Sequence, residues 1–478
     1  MAGAETGGDV AQEKQSPVSL QGSRDAALPH SRQDIVEEGD ASGDRQLSGR
    51  LFRIKSAGES GRRGLHPVQL LKIIWASSSR VARAVNILWP FVPAALAVYY
   101  TETGPSTLRF SLAYIAMVPC ANLVGFAGAE LARKMPHMLG VLTETTIGSL
   151  VEIVLFLVLL LSTENKTKFY IIRAAILGSI LATMLLCLGS CFFAAGLRRK
   201  TATFDAALSE VGTGLLLMAG LGLAIPTIFQ HSISLNLDDY NVSVENLDNR
   251  TTQISRIVAV LLLIAYIVFV WFQMHTHHGI YDAIFEHDEN RDADKHKEKD
   301  RAKLTLTECI ISLTVSVALV TLIALALVRE IEPVVEESGI SDPFMGLILV
   351  PLVEKAAEHL TALDEAWDNQ INFALSHCIG STIQTAMLNA PLVVIVAWGR
   401  GLPLNLNFEI FEIAILLIAI ITVGNYLRDQ KSDYFEGFLC IITYIAIAVA
   451  AFYFPPLATA PGMEGAESGE HVERSLFT

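Results

Sequence analysis

Long apolar runs separated by short polar turns make up most of this chain after residue 65. Each run reaches the roughly 20 residues that an α-helix needs to cross a hydrocarbon core about 30 Å thick. The stretch Ile257–Phe272 with its flanks is typical. The pattern predicts an all-α membrane protein of about eleven spans, at about 84–100, 107–127, 139–162, 170–196, 205–230, 254–274, 304–328, 343–363, 371–397, 407–427 and 434–455. A charged linker, 275–303, divides them into six and five. Residues 1–65 are rich in Gly, Ser, Asp, Glu and Arg and read as a disordered tail. A short acidic tail, 456–478, ends the chain.

Composition agrees. Of 478 residues 52% are hydrophobic, and the mean hydropathy is +0.44, too apolar for an ordinary soluble protein. The formal charge of −14 lies in tails and loops, and nothing is basic enough for nucleic acid. The expected surroundings are therefore a lipid bilayer, with homo-oligomerisation left open. Six cysteines sit in or beside apolar segments and read as small buried hydrophobes. Cys187 and Cys191 stand one helical turn apart, but two thiols alone make a poor metal site.

Positive charge near the span ends sets the expected orientation. Arg62, Arg63, Lys72, Arg80 and Arg83 precede the first span and put the N-terminus in the cytosol. Arg133, Lys134, Arg198, Arg199 and Lys200 then fall on the same side. The sequons at Asn165, Asn241 and Asn249 all fall on the other.

Ionisable groups inside spans are costly and usually face a cavity or one another. Two segments carry them: Glu144 to Glu152 in the third span, and Glu354-Lys355-Ala356-Ala357-Glu358-His359 in the eighth. Each precedes a span with small polar residues, Gly178-Ser179 in one half and Gly380-Ser381-Thr382-Ile383-Gln384 in the other. The two halves thus repeat one plan. With spans 2–6 and 7–11 as units of five, the second enters from the opposite side, an inverted repeat after one extra N-terminal helix. Oxygen-rich groups near the midplane suit a hard cation such as Ca²⁺. A set of structural ion pairs is the plainer alternative. Gly148, Gly178 and Gly380 are expected to allow close helix contact. His275, His277 and His278 end a span and make a weak metal candidate. The linker's near balance of acids and bases reads as a solvated or partly helical connector.

At these residues the sequence resembles the cation/proton exchanger (CAX) family of the calcium/cation antiporters. Ala175 to Leu181, Phe272 to His277, Ala356 to His359, Gly380 to Gln384, Leu406 to Glu409 and Asn425 to Leu427 carry the likeness. It spans about Asn86 to Pro455. The resemblance implies a fungal-type vacuolar Ca²⁺/H⁺ antiporter needing no cofactor and catalysing no covalent chemistry. Glu152 and Glu358 match the family's two ion-binding glutamates, with Ser149, Ser179, Ser381, Thr382 and Gln384 supplying neutral oxygens. Proton or selectivity roles fall to Glu144, Glu354, Lys355 and His359.

The departures are pointed. The family's Gly-Asn-Ala-Val-Glu is Gly148-Ser149-Leu150-Val151-Glu152 here, and its Gly-Asn-Ala-Ala-Glu-His has become Glu354-Lys355-Ala356-Ala357-Glu358-His359. An ammonium within about 4 Å of a carboxylate interacts by roughly 4 kcal/mol at an effective dielectric of 20, and it repels a dication in kind. The expectation is that Lys355 pairs with Glu144 or Glu354 and weakens or changes ion selectivity; snorkelling away from the site is the alternative. Exchange of a monovalent cation, or a membrane scaffold or sensor without an ion site, are the rival functions.

Overall fold

A computed structural model describes residues 62–76, 80–162, 166–235, 237–240, 242–292 and 303–455. Residues 1–61 of the N-terminal tail, the C-terminal tail 456–478, the sequon residues Asn165 and Asn241, and linker residues 293–302 lie outside the described residues. The described chain is helical except for one two-residue antiparallel pairing, Ala202–Thr203 with Lys431–Ser432.

The principal helices are α1 (Pro67–Ala76), α2 (Phe91–Thr101), α3 (Ser106–Ala132), α4 (His137–Gly148), α5 (Leu150–Leu161), α6 (Lys166–Leu181), α7 (Leu188–Arg198), α8 (Ala206–Ser234) and α9 (Val244–Trp271). They continue with α10 (His278–Arg291), α11 (Leu306–Ser338), α12 (Val350–Glu354), α13 (Ala356–Trp367), α14 (Ile371–Gln384), α15 (Ala390–Gly399), α16 (Ile410–Leu427) and α17 (Tyr434–Phe452). Among the described residues ten segments are long and apolar enough to cross a membrane. The eleventh expected span, 343–363, is present as a broken segment, α12–α13, interrupted at Lys355.

From α3 to α9 and from α11 to α17 the element order is the same. A long helix comes first (α3, α11), then a helix broken mid-way (α4–α5, α12–α13), then a helix with a π-helical stretch (α6–α7, α14–α15), then two more. The breaks fall at Ser149 and Lys355, single residues between the half-helices with ψ values of −6° and −3°. Each break lies three residues before Glu152 or Glu358, so each glutamate stands in the first turn of its second half-helix. The π-helical stretches within α6–α7 and α14–α15 are Ala182–Cys187 and Thr385–Asn389.

Burial separates the helices by role. In the span Lys168–Arg198, 89% of the most apolar window is buried, against 11% in Val244–Thr276. The former runs through the centre. The latter turns Ile257, Leu261, Ile264 and Val268 outward, where lipid tails replace a protein partner. Close approach at the centre needs glycine at one position above all. A Cβ on Gly178 would sit 2.2 Å from the Leu347 carbonyl oxygen, so α6 packs directly on the backbone ahead of α12. Gly148 is tight for another reason, since its Cβ would lie 3.0 Å from Glu358 Oε1. Gly380 does not serve close contact: the nearest atom to its Cβ would be Thr145 Cγ2, at 3.9 Å.

The linker departs from a solvated connector over its described half. Helix α10 buries Tyr281, Ile284, Phe285 and Asp288, with Phe285 and Phe373 ring centroids 4.7 Å apart. Asp288 accepts from the backbone N–H groups of Asn372 (2.7 Å) and Phe373 (3.3 Å) and from Asn372 Nδ2 (2.9 Å). It therefore satisfies orphan donors in the first turn of α14. Burial pushes its carboxyl above the ordinary aspartate value, against the pull of these donors. Asp288→Ala should destabilise the protein by about 1–3 kcal/mol, read as a lower Tm in detergent. An unchanged Tm would mean that α10 does not brace α14.

At the described start of the chain, Arg62 places Nη1 and Nη2 each 3.1 Å from the Glu308 carboxylate oxygens. Glu308 also closes a capping box with Thr305 at the start of α11. The polypeptide ahead of α1 is thereby tied to the beginning of the second five-helix unit.

Candidate functional site

The two half-helix starts bring Glu152 and Glu358 to the same ammonium. Lys355 Nζ lies 2.7 Å from Glu152 Oε2, 3.1 Å from Glu358 Oε2 and 3.0 Å from Ser381 Oγ. These three oxygens take up the three protons an ammonium can donate. Lys355 is fully buried, so it does not snorkel. Nor are its ion-pair partners Glu144 and Glu354, as the sequence reading proposed. It sits between the two carboxylates expected to hold the cation, and its head group occupies a cation position.

Glu152 is fully buried and accepts two further hydrogen bonds at Oε2, from Thr385 Oγ1 and Asn389 Nδ2, both 2.8 Å. Both donors lie in the π-helical stretch of the second unit. Neither is among the residues that the sequence singles out. Asn389, an amide in the apolar run 386–397, was the available signal, because an unpartnered amide is expensive inside a span. Oε1 of Glu152 has no hydrogen-bond partner.

The other expected residues divide. Ser381 donates to Glu358 Oε2 and also faces Lys355. Ser179 donates to Glu354 Oε1, and Glu354 Oε2 is buried without a hydrogen-bond partner. Ser149 and Thr382 spend their hydroxyls on helix carbonyls, those of Thr146 (3.0 Å) and Cys378 (2.7 Å). They are not aimed at the ammonium. Both amide atoms of Gln384 are buried and unpartnered. Nε2 of His359 lies 3.4 Å from Thr183 Oγ1. Glu144 is away from Lys355, with an oxygen 4.0 Å from His377 Nε2, while Glu365 holds His377 Nδ1 at 2.7 Å. The three histidines that end the span after α9 join no metal-binding group among the described residues.

An open cavity reaches this cluster. Glu144 and His377 line it, as do Thr183, Glu354, Glu358 and Ser381. Lys355 and Glu152 lie behind that wall. Three carboxylates and one ammonium, all ionised, leave two net negative charges. Two glutamates alone would leave the same number. The paired departures at Glu354 and Lys355 thus preserve the formal charge of the site while filling part of its space.

The likeness to known proteins follows the same two units. The sodium/calcium exchanger protein family matches residues 105–275 and 309–453. The chain belongs to that family. The two stretches of the exchanger match bracket the linker, and each contains one broken helix, the first with Glu152 and the second with Glu358. The vacuolar calcium ion transporter of Schizosaccharomyces pombe is 31% identical over 81% of this chain and 89% of its own length. Vacuolar cation/proton exchanger 2 of Arabidopsis thaliana is 31% identical over 77% of this chain and 80% of its own. Among solved structures, native YfkE superposes with a TM-score of 0.61 at 23% identity, covering 77% of this chain and all of YfkE. The H⁺/Ca²⁺ exchanger CAX gives 0.54 at 12% identity, covering 78% and 88%. The exchanger fold, all-α and multi-pass, is therefore established, and these relatives are transporters.

Proposed function

We propose that this protein is a secondary active Ca²⁺/H⁺ antiporter that moves cytosolic Ca²⁺ into a vacuole, with its N-terminus in the cytosol. The observation that carries the reading is the convergence of Glu152 and Glu358, from matching half-helix starts of the two units, on one buried cation position beside a cavity. Carboxylates so placed hold either a hard cation or protons. Exclusive occupancy by one or the other couples the two fluxes. The vacuolar relatives and the basic residues ahead of the first span support the compartment and the orientation. With the N-terminus cytosolic, α4 and α13, which line the cavity next to the breaks, are the cytosolic halves of their spans.

Lys355 acts as a built-in counter-ion in this account. With no Ca²⁺ bound, its ammonium bridges Glu152 and Glu358. When Ca²⁺ enters, the ammonium moves to Glu354, whose Oε2 is buried without a hydrogen-bond partner. The dication then takes Glu152, Glu358 and the hydroxyl of Ser381. On the lumenal side protons, shared among Glu152, Glu354 and Glu358, replace the charge of the departing dication, and Lys355 returns between Glu152 and Glu358. No cofactor takes part.

One observation favours a second reading. With the ammonium retained between the glutamates, a proton on any of the three carboxylates leaves a single negative charge, which one Na⁺ or K⁺ neutralises. Uptake into proteoliposomes driven by an imposed proton gradient separates the two. The proposal expects Ca²⁺ to accumulate and an excess of Na⁺ or K⁺ to leave its uptake unchanged. Accumulation of Na⁺ or K⁺ alone would replace it with monovalent exchange. No flux from folded protein would favour a scaffold or sensor.

A further inference from the structure

Beside the carboxylate cluster lies a second group of ligand-type side chains that the exchange mechanism does not use. Cys187 ends the first π-helical stretch, Cys191 stands one turn on in α7, and Cys378 projects from α14 of the other unit. Their three sulfurs lie within 4.8 Å of one another, with Cys187 and Cys378 Sγ 3.5 Å apart. All three are buried, free thiols. The third thiol changes the chemistry that Cys187 and Cys191 alone would offer.

The spacing suits a metal ion. With metal–sulfur bonds of about 2.3 Å, a tetrahedral ion sets its sulfurs roughly 3.8 Å apart and a trigonal one roughly 4.0 Å. The donor set is all sulfur, which selects soft d¹⁰ ions over Ca²⁺, whose ligands are oxygens. Access exists as well. Cys187 and Cys378 lie on the wall of the same cavity that reaches Glu358, so an ion can enter and the displaced thiol protons can leave. Cys120, Cys309 and Cys440 are also buried, but they join no such group among the described residues. Burial alone therefore does not produce the convergence.

We propose that Cys187, Cys191 and Cys378 form a binding site for one thiophilic d¹⁰ cation of the Zn²⁺, Cd²⁺ or Cu⁺ class. Bound there, the ion ties α6–α7 of the first unit to α14 of the second, next to Glu358. The site is separate from the oxygen site, and its occupancy does not depend on what the exchanger carries.

The test titrates Cd²⁺ into purified full-length protein in detergent, kept reduced by a phosphine. The ultraviolet sulfur-to-metal charge-transfer band is read, which a carboxylate-bound ion does not give. One equivalent per chain is expected in wild type and equally in the triple variant Cys120→Ala, Cys309→Ala, Cys440→Ala. Cys378→Ala should weaken binding at least tenfold, with gel filtration reporting its fold. No band in the folded triple variant, or a band that Cys378→Ala leaves intact, overturns the proposal. Should Cys378→Ala not fold, the triple variant decides alone. Competition with Zn²⁺ and with Cu⁺ then ranks the ions within the class.

Discussion

Lys355→Asn destabilises the ion-free protein by about 3–5 kcal/mol, because it leaves Glu152 and Glu358 buried without their counter-ion. Glu152 is fully buried and its Oε1 is already unpartnered, so removing the ammonium at 2.7 Å uncovers charge that water cannot reach. The loss appears as a Tm several degrees lower in Ca²⁺-free detergent. Ca²⁺ then restores it. An ion at 100 times its Kd adds about 2.7 kcal/mol to the state that binds it, and the variant, free of its internal competitor, binds Ca²⁺ more tightly than wild type. Lys355→Asn combined with Glu354→Gly, which removes one negative and one positive charge together, should lose much less stability than Lys355→Asn alone. If Ca²⁺ stabilises Lys355→Asn no more than it stabilises wild type, Lys355 does not share a site with the transported ion.

Glu358→Gln and Glu152→Gln each reduce Ca²⁺ uptake at least about 30-fold, the consequence of losing roughly 2 kcal/mol or more when one member of a buried charge group is truncated. The two differ in stability. Glu152 is held by Thr385 and Asn389 as well as Lys355, whereas Glu358 is 17% exposed through the cavity. Glu152→Gln therefore lowers the Tm more than Glu358→Gln, since water can still reach the latter position. Equal uptake by wild type and Glu358→Gln would remove the glutamate pair from the mechanism.

The membrane architecture was legible because it rests on run length, which the hydrocarbon thickness fixes. The meeting of Glu152 and Glu358 was legible too, since rare charges inside apolar spans face one another. What the sequence left open was direction. Lys355 at three residues before Glu358 reads as a same-face neighbour and is one, at 3.1 Å, but the same ammonium also reaches Glu152 of the other unit. Hydroxyl roles were equally hidden. Ser149 and Thr382 belong to the right segments, yet each can satisfy itself on a carbonyl of its own helix, and here both do. Thr385 and Asn389 reach Glu152 from a π-helical stretch, which shifts side chains off the α-helical periodicity used to read a face. The three-thiol cluster needed a residue 191 positions away from Cys187, a pairing no spacing rule supplies. Asp288 looked like one acid among many in a charged linker, and only the docking of α10 gives it a partner.

Proton release on Ca²⁺ binding tests the central claim most directly. Purified wild type, in weakly buffered detergent solution at mildly acidic pH with an indicator dye, is mixed with Ca²⁺. The account predicts that protons appear in proportion to bound Ca²⁺, and that none appear from Glu152→Gln with Glu358→Gln. Ca²⁺ binding to wild type without proton release, or release undiminished in the double variant, would contradict a single site shared by the two ions.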